Sequence, residues 1–272
     1  MMEELLQQLA RQVQNKYYGK YRGFVVDNSD PEQLGRIKLR VPSVLGDSVT
    51  GWALPCLPFG GLADQGLFMV PETGAQVWVE FEEGELSHPI WTGTFWQASG
   101  DVPSEAALTP PTTRLLKTPS GHRLQFDDAS GQEQYTLHHP AGSEMTIDPQ
   151  GTVLLTDANG AKVTLDVQAN KVEVEDASGN KLTMTVSGTT VQDANGNKIE
   201  MTASGVSVKA SATVTVEGSV VMLGGQGGEP VIKGPSFLTL FATHIHPTAM
   251  GPSGPPIPQG EMSSLSSKVM TS

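Results

Sequence analysis

The sequence predicts an all-β protein with a small N-terminal barrel, a long repetitive β prism completed by other copies of the chain, and a short α-helix ahead of both. Three observations carry this prediction. A turn phrase recurs at Asp128-Ala-Ser-Gly131, Asp157-Ala-Asn-Gly-Ala-Lys162, Asp176-Ala-Ser-Gly-Asn-Lys181 and Asp193-Ala-Asn-Gly-Asn-Lys198. Between Tyr135 and Phe237 there is no Phe, Tyr or Trp. The aromatic residues concentrate instead between Tyr17 and Trp96, among short strand-like runs.

Each Asn-Gly or Ser-Gly is a tight-turn signal, because glycine accepts positive φ and the polar residue before it can bond its own backbone. The segments that follow alternate. Val163, Leu165 and Val167, then Val172 and Val174, then Leu182, Met184 and Val186, then Ile199 and Met201 point one way, and Thr, Glu, Lys and Gln point the other. These are short strands with one wet face. Filled only by Val, Ile, Leu, Met and Thr, they bury too little in any layer to stand as a self-contained sandwich. Turns every 8 to 10 residues or so point to a solenoid or an intertwined prism, in which each layer leans on its neighbours. If one chain cannot close the prism, several copies must. Three chains wound about a common axis would enclose a dry centre of small residues and turn Thr, Glu and Lys outward. An ordinary repeat-containing β domain is the alternative at this point.

Composition narrows the function classes. A chain of 272 residues can hold two domains, and 38% hydrophobic with 6% aromatic content fits an elongated β-rich protein. With 17 basic against 29 acidic residues the net charge is -12, which argues against nucleic-acid and anionic-membrane surfaces. The acidity reads as keeping an assembly soluble. The single Cys56 excludes an intrachain disulfide framework and implies folding in a reducing cytosol. No stretch of 18 uninterrupted apolar residues and no signal peptide is present. Export, if any, would then be as part of a larger object.

Taken in order, residues 1–16 contain an amphipathic helix over 2–14. Leu5, Leu9 and Val13 form one stripe beside Leu6 and Ala10, and Glu3 and Glu4 sit near the positive end. A helix this short is marginal alone, so it should pack on a partner or on its own domain, and Leu5, Leu9 and Val13 are read here as partner-binding. Residues 17–97 hold strand-like runs at Tyr21–Asp27, Gly35–Val41, Gly51–Cys56, Ala75–Phe81 and Ile90–Trp96, with turn-forming breaks between them. Five short strands without an internal helix point to an OB-type barrel.

Here the sequence becomes specific. The runs Tyr21-Arg-Gly-Phe-Val-Val-Asp-Asn28, Asp30-Pro31, Leu34-Gly-Arg-Ile-Lys-Leu-Arg-Val-Pro42, Pro71-Glu-Thr-Gly-Ala-Gln-Val-Trp-Val-Glu-Phe-Glu-Glu-Gly84 and His88-Pro-Ile-Trp-Thr-Gly93 occur in that order. Together they resemble the N-terminal domain of the phage baseplate assembly protein V family. The same domain opens the central spikes of contractile injection systems, including the valine-glycine repeat proteins of type VI secretion. The resemblance implies a homotrimer, made in the bacterial cytoplasm and built into a virion or tailocin baseplate. Its OB domains would sit beneath a ring-shaped hub protein at the tail-tube end. A β-helical needle would project toward the target cell and cross its outer membrane transiently, with or without a separate tip protein.

Residues 98–112 are a Pro-, Ser- and Ala-containing linker without periodicity. Some spikes of this family carry a lysozyme domain between barrel and needle. A folded enzyme needs on the order of 100 residues, so none fits in this linker. Residues 113–236 are the expected triple-stranded β-helix, interrupted at Gly224-Gly-Gln-Gly-Gly228, and 237–260 the apex, opening on an apolar plug at Phe237–Phe241. On an extended strand His244 and His246 share a face. In a trimer three such pairs would place six imidazoles around the axis, which suits octahedral Fe(II) better than tetrahedral zinc. The resemblance points the same way, since several family members carry iron at a His-x-His near the needle end. The Pro-rich run after His246 would wrap back along the outside, and residues 261–272 form a polar tail.

No catalytic residues emerge. Glu80, Glu82, Glu83 and Glu85 cluster, but mostly at a turn, as a solvated charge run. His138 and His139 are adjacent and would face opposite sides of a strand. There is no Gly-x-Ser-x-Gly elbow and no phosphate loop. Asp193, Asn195 and Asn197 imitate a calcium loop, but Ser204 stands where a bidentate Glu is required, so the segment reads as a turn. Arg36, Lys38 and Arg40 line one strand face, read as a docking or salt-bridged face. The leading expectation is a non-enzymatic spike. A trimeric receptor- or glycan-binding fibre is the second reading, and an enzyme using the four carboxylates the third.

Overall fold

The computed structural model describes residues 2–4, 7, 16–222 and 232–257. The stripe of Leu5, Leu9 and Val13 and the tail at 261–272 lie outside the described residues. The chain divides into two units, Met1–Lys209 and Ala210–Ser272.

The first unit opens with β1 (Tyr21–Asp27), β2 (Lys38–Arg40), β3 (Leu54–Pro55), β4 (Gln76–Phe81) and β5 (Pro89–Thr94), with a short helix α1 (Pro42–Leu45) after β2. They form one curled sheet in the order β2-β1-β4-β5-β3, antiparallel except where β3 runs parallel to β5. Bridges at Ile37–Ala53 and Arg40–Val49 join the remaining edges, and the sheet closes into a barrel. Strand alternation supplies its inside: Val25, Ile37, Leu39, Val41, Val77, Val79, Phe81 and Trp91 are each at most 5% exposed. The β1–β2 loop is organised by Asp30. Its carboxylate accepts the backbone N–H groups of Leu34 (2.8 Å) and Arg36 (3.2 Å), and a guanidinium N–H of Arg36 (2.6 Å). The Arg36 hydrogen bonds hold that carboxyl well below the usual carboxylate range.

Eleven further strands follow: β6 (Thr113–Lys117), β7 (Arg123–Asp127), β8 (Gln134–His138), β9 (Glu144–Ile147), β10 (Val153–Thr156), β11 (Lys162–Asp166), β12 (Lys171–Glu175), β13 (Lys181–Thr185), β14 (Gly188–Gln192), β15 (Lys198–Thr202) and β16 (Gly205–Lys209). They pair in sequence order as one antiparallel meander. The register lines up two apolar rows on one face. One runs Leu116, Leu124, Leu137, Met145, Leu155, Val163, Val174, Leu182, Val191, Ile199, Val208. The other contains Phe126, Tyr135, Ile147, Val153, Leu165, Val172 and Met184. Between them, on the opposite face, run Gln125, Thr136, Thr146, Leu154, Thr164, Glu173, Thr183, Thr190 and Glu200. The alternation of apolar and polar rows is therefore real; the apolar face has no cover within the chain, and the polar row opposite is the less exposed of the two, with Thr136 buried. Leu155 is 49% exposed and Ile199 44%, and among the described residues no hydrophobic side chain of β6–β16 is buried.

Every ladder from β6 to β16 closes within one chain. Among the described residues of 113–236, paired strands end at Lys209. The turns differ in chemistry from expectation. In the loops at Asp157, Asp176 and Asp193 it is the Asp three residues before the glycine, not the Asn or Ser next to it, that organises the turn, whereas Asp128 pairs with Arg114. Asp157 accepts the N–H groups of Asn159 (2.9 Å) and Ala161 (2.8 Å), and Asp176 those of Ser178 (2.8 Å) and Asn180 (2.9 Å). Asp193 does the same for Asn195 (2.9 Å) and Asn197 (2.8 Å), as a turn with its own backbone satisfied. Asp148 repeats the device outside the recurring phrase, with Gln150 (2.9 Å) and Thr152 (2.8 Å). One glycine is demanded by close approach: a Cβ on Gly188 would lie 2.1 Å from the Met201 carbonyl oxygen.

The second unit contains a helix, α2 (Gly234–Thr243), and a small hairpin of β17 (Pro247–Thr248) and β18 (Gly251–Pro252). The apolar run Phe237–Phe241 thus lies in a helix. Pro235 suits its first turn, and the Thr239 and Thr243 hydroxyls donate to the carbonyls of Pro235 (3.0 Å) and Thr239 (2.9 Å). None of its residues is buried.

These contrasts predict different costs for similar substitutions. Leu39→Ala, in the closed barrel, should destabilise by about 2–5 kcal/mol in urea unfolding of the full chain, the range for emptying a packed site. Loss of less than about 1 kcal/mol would show that the barrel is not the self-sufficient core described here.

Candidate functional site

Among the described residues, three places have the properties of working surfaces. The most extensive is the apolar face of the eleven-stranded sheet. Covering a half-exposed Val, Leu or Ile contributes about 1 kcal/mol each, at about 25 cal/mol per Å². Two rows of such residues therefore represent a large, unspent association energy.

The second is the segment joining barrel to sheet. Expected as a linker, residues 98–112 contain 3-10 turns at Ser99–Asp101 and Ser104–Ala106. Asp101 accepts the N–H groups of Ala98 and Gln97, both at 3.0 Å, and those bonds lower its pKa. Glu105 reaches onto the first hairpin of the sheet, accepting hydrogen bonds from Lys117 Nζ (2.8 and 3.0 Å) and an Arg123 guanidinium N–H (2.9 Å). Arg123 also lies 3.9 Å from Glu144, which meets His138 Nδ1 at 3.1 Å. Glu105 is only 21% exposed, and Lys117 above all holds its carboxyl at about 2. A sequence pattern could not have singled it out, because its partners lie 12 and 18 residues away.

The third is the histidine pair. His244 and His246 stand with ring centroids 5.0 Å apart and planes at 85°. His244 Nδ1 lies against the Phe241 carbonyl oxygen. A carbonyl only accepts, so Nδ1 carries the proton and Nε2 keeps a free lone pair, the tautomer that a metal-binding histidine needs. Ser253 pins the backbone on both sides: its Oγ accepts from His246 N–H (2.9 Å) and its N–H donates to the His246 carbonyl (2.8 Å). Among the described residues no three His, Cys, Asp or Glu side chains gather into a metal-holding group. One chain offers two ligands.

The other candidates fall apart in three dimensions. Glu80 pairs with Lys20 (2.6 Å) and Glu85 with Lys16, while Glu82 and Glu83 sit in a 3-10 turn, Glu82–Gly84. His138 faces Glu144, whereas His139 meets the ring of His122 at 4.7 Å, a pairing made by the β7–β8 hairpin.

In this chain a closed barrel is followed by a long sheet with one open apolar face. Residues 21–96 match the family of the type VI secretion system/phage-baseplate injector OB domain. Over 81 residues the chain is 33% identical to the pre-baseplate central spike protein Gp5 of Enterobacteria phage T4, covering 30% of this chain and 12% of that protein. It is 32% identical over 94 residues to the type VI secretion system spike protein VgrG4b of Pseudomonas aeruginosa, covering 33% and 11%. With spike protein VgrG5 of the same organism it shares 29% over 117 residues, covering 39% and 15%. The match thus spans about an eighth of the length of these relatives. The barrel is a baseplate and injector OB domain, and through it the chain is related to the central spike proteins.

The joint yields a pH prediction. Because the folded Glu105 carboxyl titrates at about 2 against an ordinary 4.5, its contribution is complete above about pH 4.5 and is lost as the pH falls toward 2. Glu105→Gln should weaken hydrogen-exchange protection of residues 113–127 at pH 6 by about 1 kcal/mol. The difference from the unmutated chain should shrink as the pH falls through that window. A pH-independent difference would assign the effect to shape instead of charge.

Proposed function

We propose that this chain is a non-enzymatic central spike subunit of a contractile tail baseplate, phage or tailocin-like, acting as a homotrimer that docks on a hub and pierces an envelope. The observation that carries this reading is the uncovered apolar face of β6–β16. A sheet this long cannot keep two apolar rows in water, and the covering surface with matching period and length is the same face of another copy. Three copies close a prism, each contributing a whole wall, with Thr, Lys and Glu outside. The relatives of the barrel, all named spike proteins, support the same role.

Within that assembly, His244 and His246 of three copies supply six imidazoles to one iron ion. The His244 tautomer and the 5.0 Å pairing of the rings support the ligand role. A bound ion would cross-link three chain segments against fraying. The work of the protein is mechanical. Dense intrachain ladders stiffen each wall, the apolar contact holds the walls together, and the Glu105 joint passes load between barrel and sheet. Among the described residues no helix is long and apolar enough to cross a membrane.

Native mass spectrometry should give three times the 28.8 kDa chain. Leu155→Glu with Leu165→Glu, on the dry face, should abolish the trimer, while Thr164→Glu on the opposite face should leave it. A wild-type chain that stays single at micromolar concentration would end this reading. Purified protein should contain about one iron per three chains. His244→Ala with His246→Ala should remove it without dissolving the trimer, and equal iron in both samples would refute the site.

A further inference from the structure

The outer face of the barrel carries a band of cations and aromatic rings that prism assembly leaves unused. It runs from Trp52 across Lys38 and Arg40 of β2, Arg22 and Phe24 of β1 and Trp78 of β4 to Phe95, just past β5. The register sets Phe24 opposite Arg40 and Arg22 opposite Trp78. The Arg40 guanidinium lies 5.4 Å from the Phe24 ring, and that of Arg22 5.4 Å from Phe95 and 5.9 Å from Trp78. Lys38 Nζ lies 4.5 Å from Trp52.

Charge pairing makes two of these residues unusual. Elsewhere on the barrel the cations are matched: Arg36 with Asp30 and Glu32, Lys38 with Asp27, Lys20 with Glu80, Lys16 with Glu85. Among the described residues Arg22 and Arg40 have no carboxylate partner, although the chain carries a surplus of acid. Both are exposed. A ring against the guanidinium plane orients it and leaves its edge N–H donors free, so less freedom is lost when a carboxylate binds.

Spacing then selects the ligand. Arg22 and Arg40 are diagonal neighbours on one face of adjacent strands, about 7–8 Å apart along the backbone. Carboxylate-bearing residues two apart on an extended chain are separated by about 7 Å. We propose that this band docks an extended acidic-x-acidic segment of another tail protein, with Arg22 and Arg40 each taking one carboxylate and Phe24 packed between them. This rests on the reading of the barrel as an assembly module. A nucleic-acid strand would meet the same arginines, but its continuous charge would also run over Asp27 and Glu80, on a chain of net charge -12.

The test uses the full chain assembled in particles, with a photo-crosslinking residue at Val26, which is 42% exposed on the same face. The crosslink should map to a different tail protein, within a segment carrying Asp or Glu two residues apart. Arg22→Glu with Arg40→Glu should cut its yield about ten-fold or more. Trimer mass should be unchanged, and Arg replacements of the two partner carboxylates should restore the yield. A crosslink to a second copy of this chain or to nucleic acid, one insensitive to the double reversal, or none in particles that contain the chain would each overturn the proposal. Absence of the wild-type chain from particles would instead sink the assembly reading beneath it.

Discussion

Apolar surface that one polypeptide cannot cover is the constraint on which the rest of this structure depends. Along β7–β15 the backbone is paired on both sides, since each of these interior strands hydrogen-bonds to both its chain neighbours. The side chains are satisfied on one face only. Two apolar rows cross the meander and meet no second layer, so the free energy that would normally close a sandwich remains available for association. The segment is complete as secondary structure and incomplete as tertiary structure.

The barrel solves the same problem in the opposite way. Its sheet curls until it meets itself, and Ile37, Leu39, Val41, Val77 and Val79 lose all contact with water. Curling needs short strands, bulges and large side chains to fill the taper, and the register shifts between Val25 and Asp27 and between Val77 and Val79 provide the bends. The long sheet lacks Phe, Tyr and Trp beyond Tyr135 and shows no such shifts, so it stays open. Fused in one chain, the two give a part that covers its own apolar core and a part whose apolar face is left open. Glu105 fastens the connecting segment to the sheet through charge, its carboxylate clamped by Lys117 and Arg123.

Much of this could be read from residue order. Alternation after each turn located the strands, and Asp-Ala-x-Gly marked the reversals even though the bonding atom proved to be the Asp carboxylate and not the residue beside the glycine. His244 and His246 drew attention as a pair, and their rings do meet. The rest depended on contacts between residues distant in sequence. Glu105 looked like a linker residue until its partners on β6 and β7 were in place. The band of Arg22, Arg40, Phe24 and Trp78 is scattered over more than 50 positions and becomes one surface only when β1, β2 and β4 lie side by side. The helix at Gly234–Thr243 was hidden because a short apolar run reads equally well as a buried strand.

By itself the sequence determined the all-β class, the split into an aromatic-rich barrel and an aromatic-poor repeat, and the presence of one dry face, because these follow from local periodicity and side-chain size. Tertiary structure alone decided that the ladders close within the chain, which face is left bare, and which charges find one another. Those outcomes depend on register, and register is fixed by pairing across the sheet.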